Sequence, residues 1–119
     1  MNGEAMAAEI AEQPDVFRRI VEEGRPAIDA AAREIVANDP RFVLFVARGT
    51  SDHAALYGKY LVETRLGLPA GSASPSTMTV YDARPRFDRM LAIGVSQSGA
   101  SPDIVEPMAR AREAALKLM

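Results

Sequence analysis

Hydroxyl and amide side chains are concentrated in two short stretches of the sequence, each of which contains a glycine. The first loop is Arg48-Gly49-Thr50-Ser51, and the second loop is Ser96-Gln97-Ser98-Gly99-Ala100-Ser101. Each loop follows an apolar run that is typical of a buried strand and leads into a helical pattern. Backbone N–H groups at a helix N-terminus, together with hydroxyl groups, suit the oxygens of a phosphate. The two loops therefore predict anion binding.

The side chains of the two loops offer hydrogen-bond donors of the kind that a phosphate monoester needs. Five of them are hydroxyls that can donate to phosphate oxygens, namely Thr50, Ser51, Ser96, Ser98 and Ser101. The amide of Gln97 can donate to the phosphate or to a sugar hydroxyl, while Gly49 and Gly99 allow the backbone to come close. Neither loop matches G-x-x-x-x-G-K-[ST] or G-x-G-x-x-G, which favours a small phosphorylated metabolite over a nucleotide.

The same residue types also have an ordinary structural interpretation. Ser, Thr and Gly fill many strand-to-helix turns as caps and turn formers, without any ligand. Asp52 and Asp103 lie in predicted first helical turns, where their charge competes with a bound anion. His53 is a candidate proton donor, but a lone histidine there is more often solvated, and no acid is placed to orient it.

The composition is that of an ordinary globular protein. The chain has 119 residues, of which 48% are apolar and 25% charged, with a net charge of −2, and this fits a single domain. It has no basic tail and no apolar run near about 18 residues, so we expect neither nucleic acid nor a membrane as a partner. The N-terminal residues lack a signal pattern, which predicts a cytoplasmic protein.

The sequence offers little that could hold a metal or carry out thiol chemistry. It contains no cysteine and a single histidine. A disulfide, a thiolate site, a cysteine nucleophile and a multi-histidine metal site within one chain are therefore excluded. We expect no cofactor and no metal.

The order of elements predicts an α/β fold with an N-terminal helical arm over residues 1–40. In the arm we expect a short helix over 1–13, a break at Gln13-Pro14-Asp15, and a helix over 14–37 that Gly24-Arg25-Pro26 bends or splits. Asn38-Asp39-Pro40 ends this helix. The arm is expected to pack on a sheet face or a partner subunit.

Residues 41–119 alternate between strand and helix patterns. Continuous apolar runs over 41–47 and 90–95 predict parallel strands buried on both faces, and a short strand is expected over 70–73. Helices are predicted over 52–66, after Ser74, and from Ser101-Pro102-Asp103 onward. This alternation predicts a three-layer α/β fold with a parallel sheet of flavodoxin-like order, in which the first and third strands are neighbours. Both loops would then lie at one site.

At these loops the sequence resembles the sugar isomerase (SIS) domain family. The similarity is greatest to the isomerase part of glucosamine–fructose-6-phosphate aminotransferase and to related sugar-phosphate isomerases. It extends over nearly the whole chain, and the residues that carry it are Glu9-Ile10-Ala11-Glu12-Gln13-Pro14, Arg48-Gly49-Thr50-Ser51, Gly67-Leu68-Pro69 and Ser96-Gln97-Ser98-Gly99-Ala100-Ser101.

The resemblance implies a five-stranded parallel sheet that binds fructose 6-phosphate or glucosamine 6-phosphate. It implies that the phosphate is held by Thr50, Ser96, Gln97, Ser98 and Ser101. Gly49 and Ser51 would shape the first loop, and with them the predicted phosphate site has seven residues. In the complete enzyme, the resemblance implies ring opening and proton transfer between C1 and C2 of the sugar.

The sequence also departs from this family's pattern. The aminotransferases often have Cys where this chain has Arg48, and we expect their N-terminal glutaminase domain to be absent. The resemblance places the catalytic Glu, His and Lys after residue 119, so the chain is expected to form an incomplete SIS domain without turnover of its own. An unpaired edge at the third strand would favour a homodimer, or assembly with the missing SIS half. The alternatives are a regulatory module that senses a phosphosugar and an assembly fragment with no ligand.

Overall fold

The computed structural model describes residues 3–117 and divides the chain into two compact units. The first unit ends at Ala37 and the second begins at Asn38. The first is helical, and the second contains the sheet together with both loops. The two predicted loops therefore belong to a single unit.

The first unit consists of two helices, α1 (Glu4–Glu22) and α2 (Arg25–Asn38). The predicted break at Gln13-Pro14-Asp15 is wrong, because Pro14 lies inside α1. Proline removes one backbone donor, which leaves the carbonyl of Ile10 without its helical partner. No described residue of α1 is buried, so water can hydrate this carbonyl and the cost is small. The predicted helix start at Met1 lies outside the described residues.

The predicted split at Gly24-Arg25-Pro26 is confirmed by the end of α1 and the start of α2. A Cβ at Gly24 would lie 2.6 Å from the carbonyl oxygen of Ile20, so only glycine fits there without a shift. Pro26 occupies the first turn of α2, where a missing N–H costs nothing. Phe17 remains 68% exposed, and the packing partner of the arm stays a prediction.

The second unit is built on one parallel sheet of three strands among the described residues. They are β1 (Phe42–Ala47), β2 (Ala70–Ser72) and β3 (Met90–Val95), in the order β2-β1-β3. In the register between β1 and β3, Phe42 lies opposite Met90 and Ala47 lies opposite Val95. The prediction that the first and third strands are neighbours is confirmed.

Three α-helices connect or follow these strands. They are α3 (Thr50–Leu61), α4 (Pro75–Thr79) and α5 (Pro102–Lys117). After α3 the chain makes a π-helical turn over Val62–Leu66 and stops at Gly67, which has a left-handed φ of 64°. The predicted helix stop is confirmed, whereas α3 begins two residues earlier than expected and so includes Thr50 and Ser51.

Helices α3 and α5 cover opposite faces of the sheet. Side chains alternate between the two faces along β1. The ring of Phe45 faces α3, since a Cβ at Gly58 would lie 3.0 Å from it. On the other face, Gly94 is paired with Val46 and a Cβ there would lie 3.2 Å from Met108 of α5. The predicted three-layer α/β arrangement is therefore confirmed.

The core of this unit lies on the central strand. Val43 and Val46 are each 1% exposed, although they point to opposite faces, as expected of a strand covered on both sides. Strand β3 is only half-buried, so its predicted burial on both faces is wrong. The reason is its position, because among the described residues β3 pairs with β1 alone and forms the edge of the sheet.

Arg110 of α5 binds the segment between α4 and β3. The guanidinium of Arg110 donates hydrogen bonds to Asp82 Oδ1 at 2.9 Å, to the carbonyl of Ala83 at 3.0 Å and to Glu106 Oε1 at 2.7 Å. The hydrogen bond from Arg110 and the nearby charge of Arg84 hold the pKa of Asp82 below its ordinary value. In turn, the hydrogen bonds that Arg110 donates to Glu106 and Asp82 raise the pKa of Arg110.

The close contact between Gly58 and the Phe45 ring predicts that a large side chain cannot be accepted at position 58. We expect Gly58→Leu to lower the free energy of unfolding by about 1–3 kcal/mol, because the buried ring cannot move aside without loss of packing. Tyr57→Leu, at an exposed position on the same helix, should change it by about 0.5 kcal/mol or less. Urea unfolding measures both, and equal effects would contradict the contact.

The hydrogen bond from Arg110 to Asp82 predicts how the pKa of Asp82 changes when Arg110 is replaced. We expect Arg110→Gln to raise the pKa of Asp82 toward its ordinary value, because the main stabilising partner of the carboxylate is lost. Asp82 contributes stability that is lost as the pH falls through its lowered pKa, so the variant should show a weaker stability change below about pH 4. Carboxyl NMR titration measures the shift. Arg112→Gln, on the same helix, should leave it unchanged.

Candidate phosphate-binding site

The register of the two longer strands brings the loops together. Ala47 and Val95, the last residues of β1 and β3, lie opposite each other in adjacent parallel strands. The first loop continues from Ala47 and the second from Val95, so both begin at the same edge of the sheet. This edge is the carboxyl end of the strands, where open α/β sheets bind their ligands.

The first loop turns the chain at Gly49 and starts α3. Gly49 has φ 62° and ψ −134°, a conformation that only glycine adopts readily. The N–H of Asp52 donates to the Gly49 carbonyl at 3.1 Å, and no side chain caps the N-terminus of α3. Thr50 and Ser51 are thus in the first turn of the helix, where backbone N–H groups have no partner within the helix.

The second loop is held by hydrogen bonds to its own side chains. Ser96 Oγ accepts a hydrogen bond from the Gly99 N–H at 2.9 Å, and Ser98 Oγ accepts one from the Ala100 N–H at 3.3 Å. We expected the backbone N–H groups of the loop to be available to an anion, but those of Gly99 and Ala100 already donate to these hydroxyls. Each hydroxyl keeps its own O–H to donate. The carbonyl of Ser101 accepts the first hydrogen bonds of α5, from Ile104 and Val105.

The two loops enclose an open cavity of about 700 Å³. Its lining consists of Arg48, Thr50, Ser51, Ala54, Val95, Ser96, Gln97, Ser98, Ser101 and Ile104. Six of the seven predicted phosphate-binding residues are in this set. Gly49 is the exception, because it has no side chain and acts through the turn that places Thr50. The binding role of these residues stays a prediction.

Sequence reasoning missed the apolar side of the cavity and the partner of Arg48. Ala54 and Ile104 line it with the hydroxyls. Each lies in the opening turns of the helix that follows its loop, and this position is the signal that could have identified them. Arg48 Nε lies 3.5 Å from Asp103 Oδ2, with side chains 62% and 40% exposed. An exposed pair of this kind contributes at most about 1 kcal/mol.

The remaining charged or titratable candidates are not part of the lining. Asp103 is paired with Arg48, and its Oδ1 accepts a hydrogen bond from Thr79 Oγ1 at 3.4 Å. Asp52 and His53 are exposed on α3 and do not line the cavity. The geometry therefore lends no support to His53 as a proton donor at this site.

Within residues 3–117, no group of three or more His, Asp or Glu side chains could hold a metal ion. In the same part of the chain, none of the helices combines the length and the apolar character needed to cross a membrane.

The chain is similar to part of several known proteins. It is 37% identical to glutamine–fructose-6-phosphate aminotransferase (isomerizing) from Methanothermobacter thermautotrophicus over 95% of this chain, and 35% identical to the same enzyme from Gloeobacter violaceus over 96%. A crystal structure assigned as a phosphosugar isomerase, from Silicibacter pomeroyi, is 45% identical over 92% of the chain with a TM-score of 0.86. This chain is a homologue of one segment of these proteins.

The coverage of these relatives defines how far the similarity extends. The chain spans 18% and 19% of the length of the two aminotransferases and 33% of the solved structure. No family model matches the chain. The resemblance that the two loops predict is confirmed, and the parallel α/β sheet has the fold of the phosphosugar isomerase structure.

Proposed function

We propose that this chain forms the phosphosugar-binding part of an aminosugar-phosphate isomerase or aminotransferase. Fructose 6-phosphate or glucosamine 6-phosphate is the proposed ligand. The observation that carries the proposal is the convergence of two hydroxyl loops, from adjacent parallel strands, on one cavity. The names of the homologous proteins supply the class of ligand.

The cavity offers a phosphate two kinds of donor. Thr50 and Ser51 stand at the uncapped N-terminus of α3, where the helix dipole favours a negative charge. Ser96 and Ser98 are already fixed by amides of their own loop and can turn their O–H groups toward phosphate oxygens. Gln97 lines the same cavity, and its proposed role is to contact the phosphate or a sugar hydroxyl.

The proposed role of these residues is to bind and orient, and the proton transfer is assigned to other groups. Of the described residues that line the cavity, Arg48 alone has an ionisable side chain, and arginine stays protonated in proteins. A transfer of a proton between C1 and C2 of the sugar needs a general acid and base. In the whole enzyme these groups would come from outside the described lining.

A second candidate function is a regulatory module that senses a phosphosugar through the same cavity. It is favoured by the same lack of a general base among the described lining residues. The two candidates share the ligand and differ in turnover. An isomerase assay on the full-length protein separates them, because an enzyme part converts the phosphosugar, whereas a sensor binds it and leaves it unchanged.

The exposed edge of β3 supports a further part of the proposal, which is self-association or assembly with another SIS half. Among the described residues, β3 pairs on one side only, and a strand edge carries unpaired N–H and C=O groups that favour pairing with another chain. The ordinary form of such an assembly is a symmetric dimer.

The proposed phosphate contacts predict the effect of removing one hydroxyl. Thr50→Val keeps the shape of the side chain, so the loss of one hydrogen bond to a charged phosphate should raise the Kd for fructose 6-phosphate about tenfold. Ser76→Ala, at an exposed position on α4, should leave it unchanged. Isothermal titration measures both. Fructose, which lacks the phosphate, is the control ligand. If the unaltered protein binds neither fructose 6-phosphate nor fructose, the proposed function is wrong.

The unpaired edge of β3 predicts that the protein self-associates in solution, which its molar mass would show. Light scattering over a range of protein concentrations should give at least a dimer at high concentration, with dissociation on dilution. A monomer at every concentration would contradict self-association through this edge.

A further inference from the structure

Arg48 is the charged residue of the cavity. Of the described residues in the lining, no other side chain carries a formal charge. Arg48 follows the last residue of β1, and its side chain is 62% exposed. The neutral hydroxyls beside it can bind a phosphate, but they distinguish weakly between one and two negative charges.

The contact that Arg48 makes in the structure is easily exchanged. Its Nε lies 3.5 Å from Asp103 Oδ2, beyond the range of a strong hydrogen bond, and both side chains are substantially exposed. If Arg48 moves away, the carboxylate of Asp103 is still hydrated, because its side chain is 40% exposed. It shares the hydroxyl of Thr79, at 3.4 Å, with the carbonyl of Pro75. A guanidinium matches two phosphate oxygens at once, which makes phosphate the better partner.

We propose that Arg48 is the cationic contact of the ligand's phosphate, and that it exchanges Asp103 for the phosphate dianion when the ligand binds. This inference rests on the proposed function, since it concerns the same cavity. It makes Arg48 a specificity-determining residue that selects a doubly charged phosphate over a singly charged one. Asp103 opposes binding, because it competes for the guanidinium and adds a like charge near the anion.

The pH dependence of binding follows from this exchange. A phosphate monoester loses its second proton with a pKa of about 6, so the affinity for fructose 6-phosphate should rise between about pH 5 and about pH 8. Arg48 should account for much of the rise, because a fixed cation gains more from the dianion than from the monoanion. A residue that only tethers the first loop to α5 would change stability and leave this pH profile as it is.

The test is isothermal titration of fructose 6-phosphate at both ends of this pH range, about 5 and about 8. We expect Arg48→Gln to raise the Kd about tenfold or more at the higher pH and clearly less at the lower pH. Arg65→Gln removes the same charge from the exposed π-helical turn and should match the unaltered protein. Asp103→Asn should lower the Kd severalfold, because it releases Arg48 and removes a like charge.

The outcomes separate this inference from the proposed function. If Arg48→Gln binds fructose 6-phosphate with the affinity and pH profile of the unaltered protein, the proposed exchange by Arg48 is wrong. The same holds if Asp103→Asn weakens binding. Neither result contradicts the proposed phosphosugar site. If Arg48→Gln lowers only the unfolding temperature, Arg48 is a structural tether and the inference is again wrong. If the unaltered protein binds no fructose 6-phosphate at either pH, the proposed function itself fails.

Discussion

The parallel pairing of β1 with β3 is the constraint on which the candidate site depends. It places Ala47 beside Val95, so two loops that are far apart in the sequence start next to each other. A slip of one residue in this register would turn every side chain of β3 to the other face. The half-buried β3 holds its register because Gly94 fits under Met108 on one face while Ile93 packs on the core at the other.

Much of this arrangement could be predicted from the sequence, because it depends on patterns that act locally. The apolar run over 41–47 is too short for a helix with its own core face and too uniform for a strand with one wet face, which leaves a central parallel strand. Gly67 ends a helix because it accepts a left-handed φ of 64°. Given this strand order, the polar lining residues follow from their position after each strand, whereas Ala54 and Ile104 of the following helices do not.

The features that could not be predicted depend on the surroundings of each residue. The cost of Pro14 inside α1 is set by whether water can reach the freed carbonyl of Ile10, and sequence alone does not show the exposure of that helix face. The contact between Arg48 and Asp103 joins residues of two different elements. The predicted burial of β3 was too high because its apolar composition outweighed the edge position that the same sequence predicted, and an edge strand among the described residues is covered less than a central one.

The hydrogen bonds inside the second loop have a consequence for the thermodynamics of recognition. Because Ser96 and Ser98 already hold Gly99 and Ala100 in place, the second loop of the candidate site is preorganised. A ligand bound at the proposed site would lose little affinity to the ordering of flexible chain, and its binding would not wait for a slow rearrangement of the backbone. The first loop lacks such internal side-chain ties among its described contacts, so the entropy of immobilisation should fall mainly on Arg48 and Thr50.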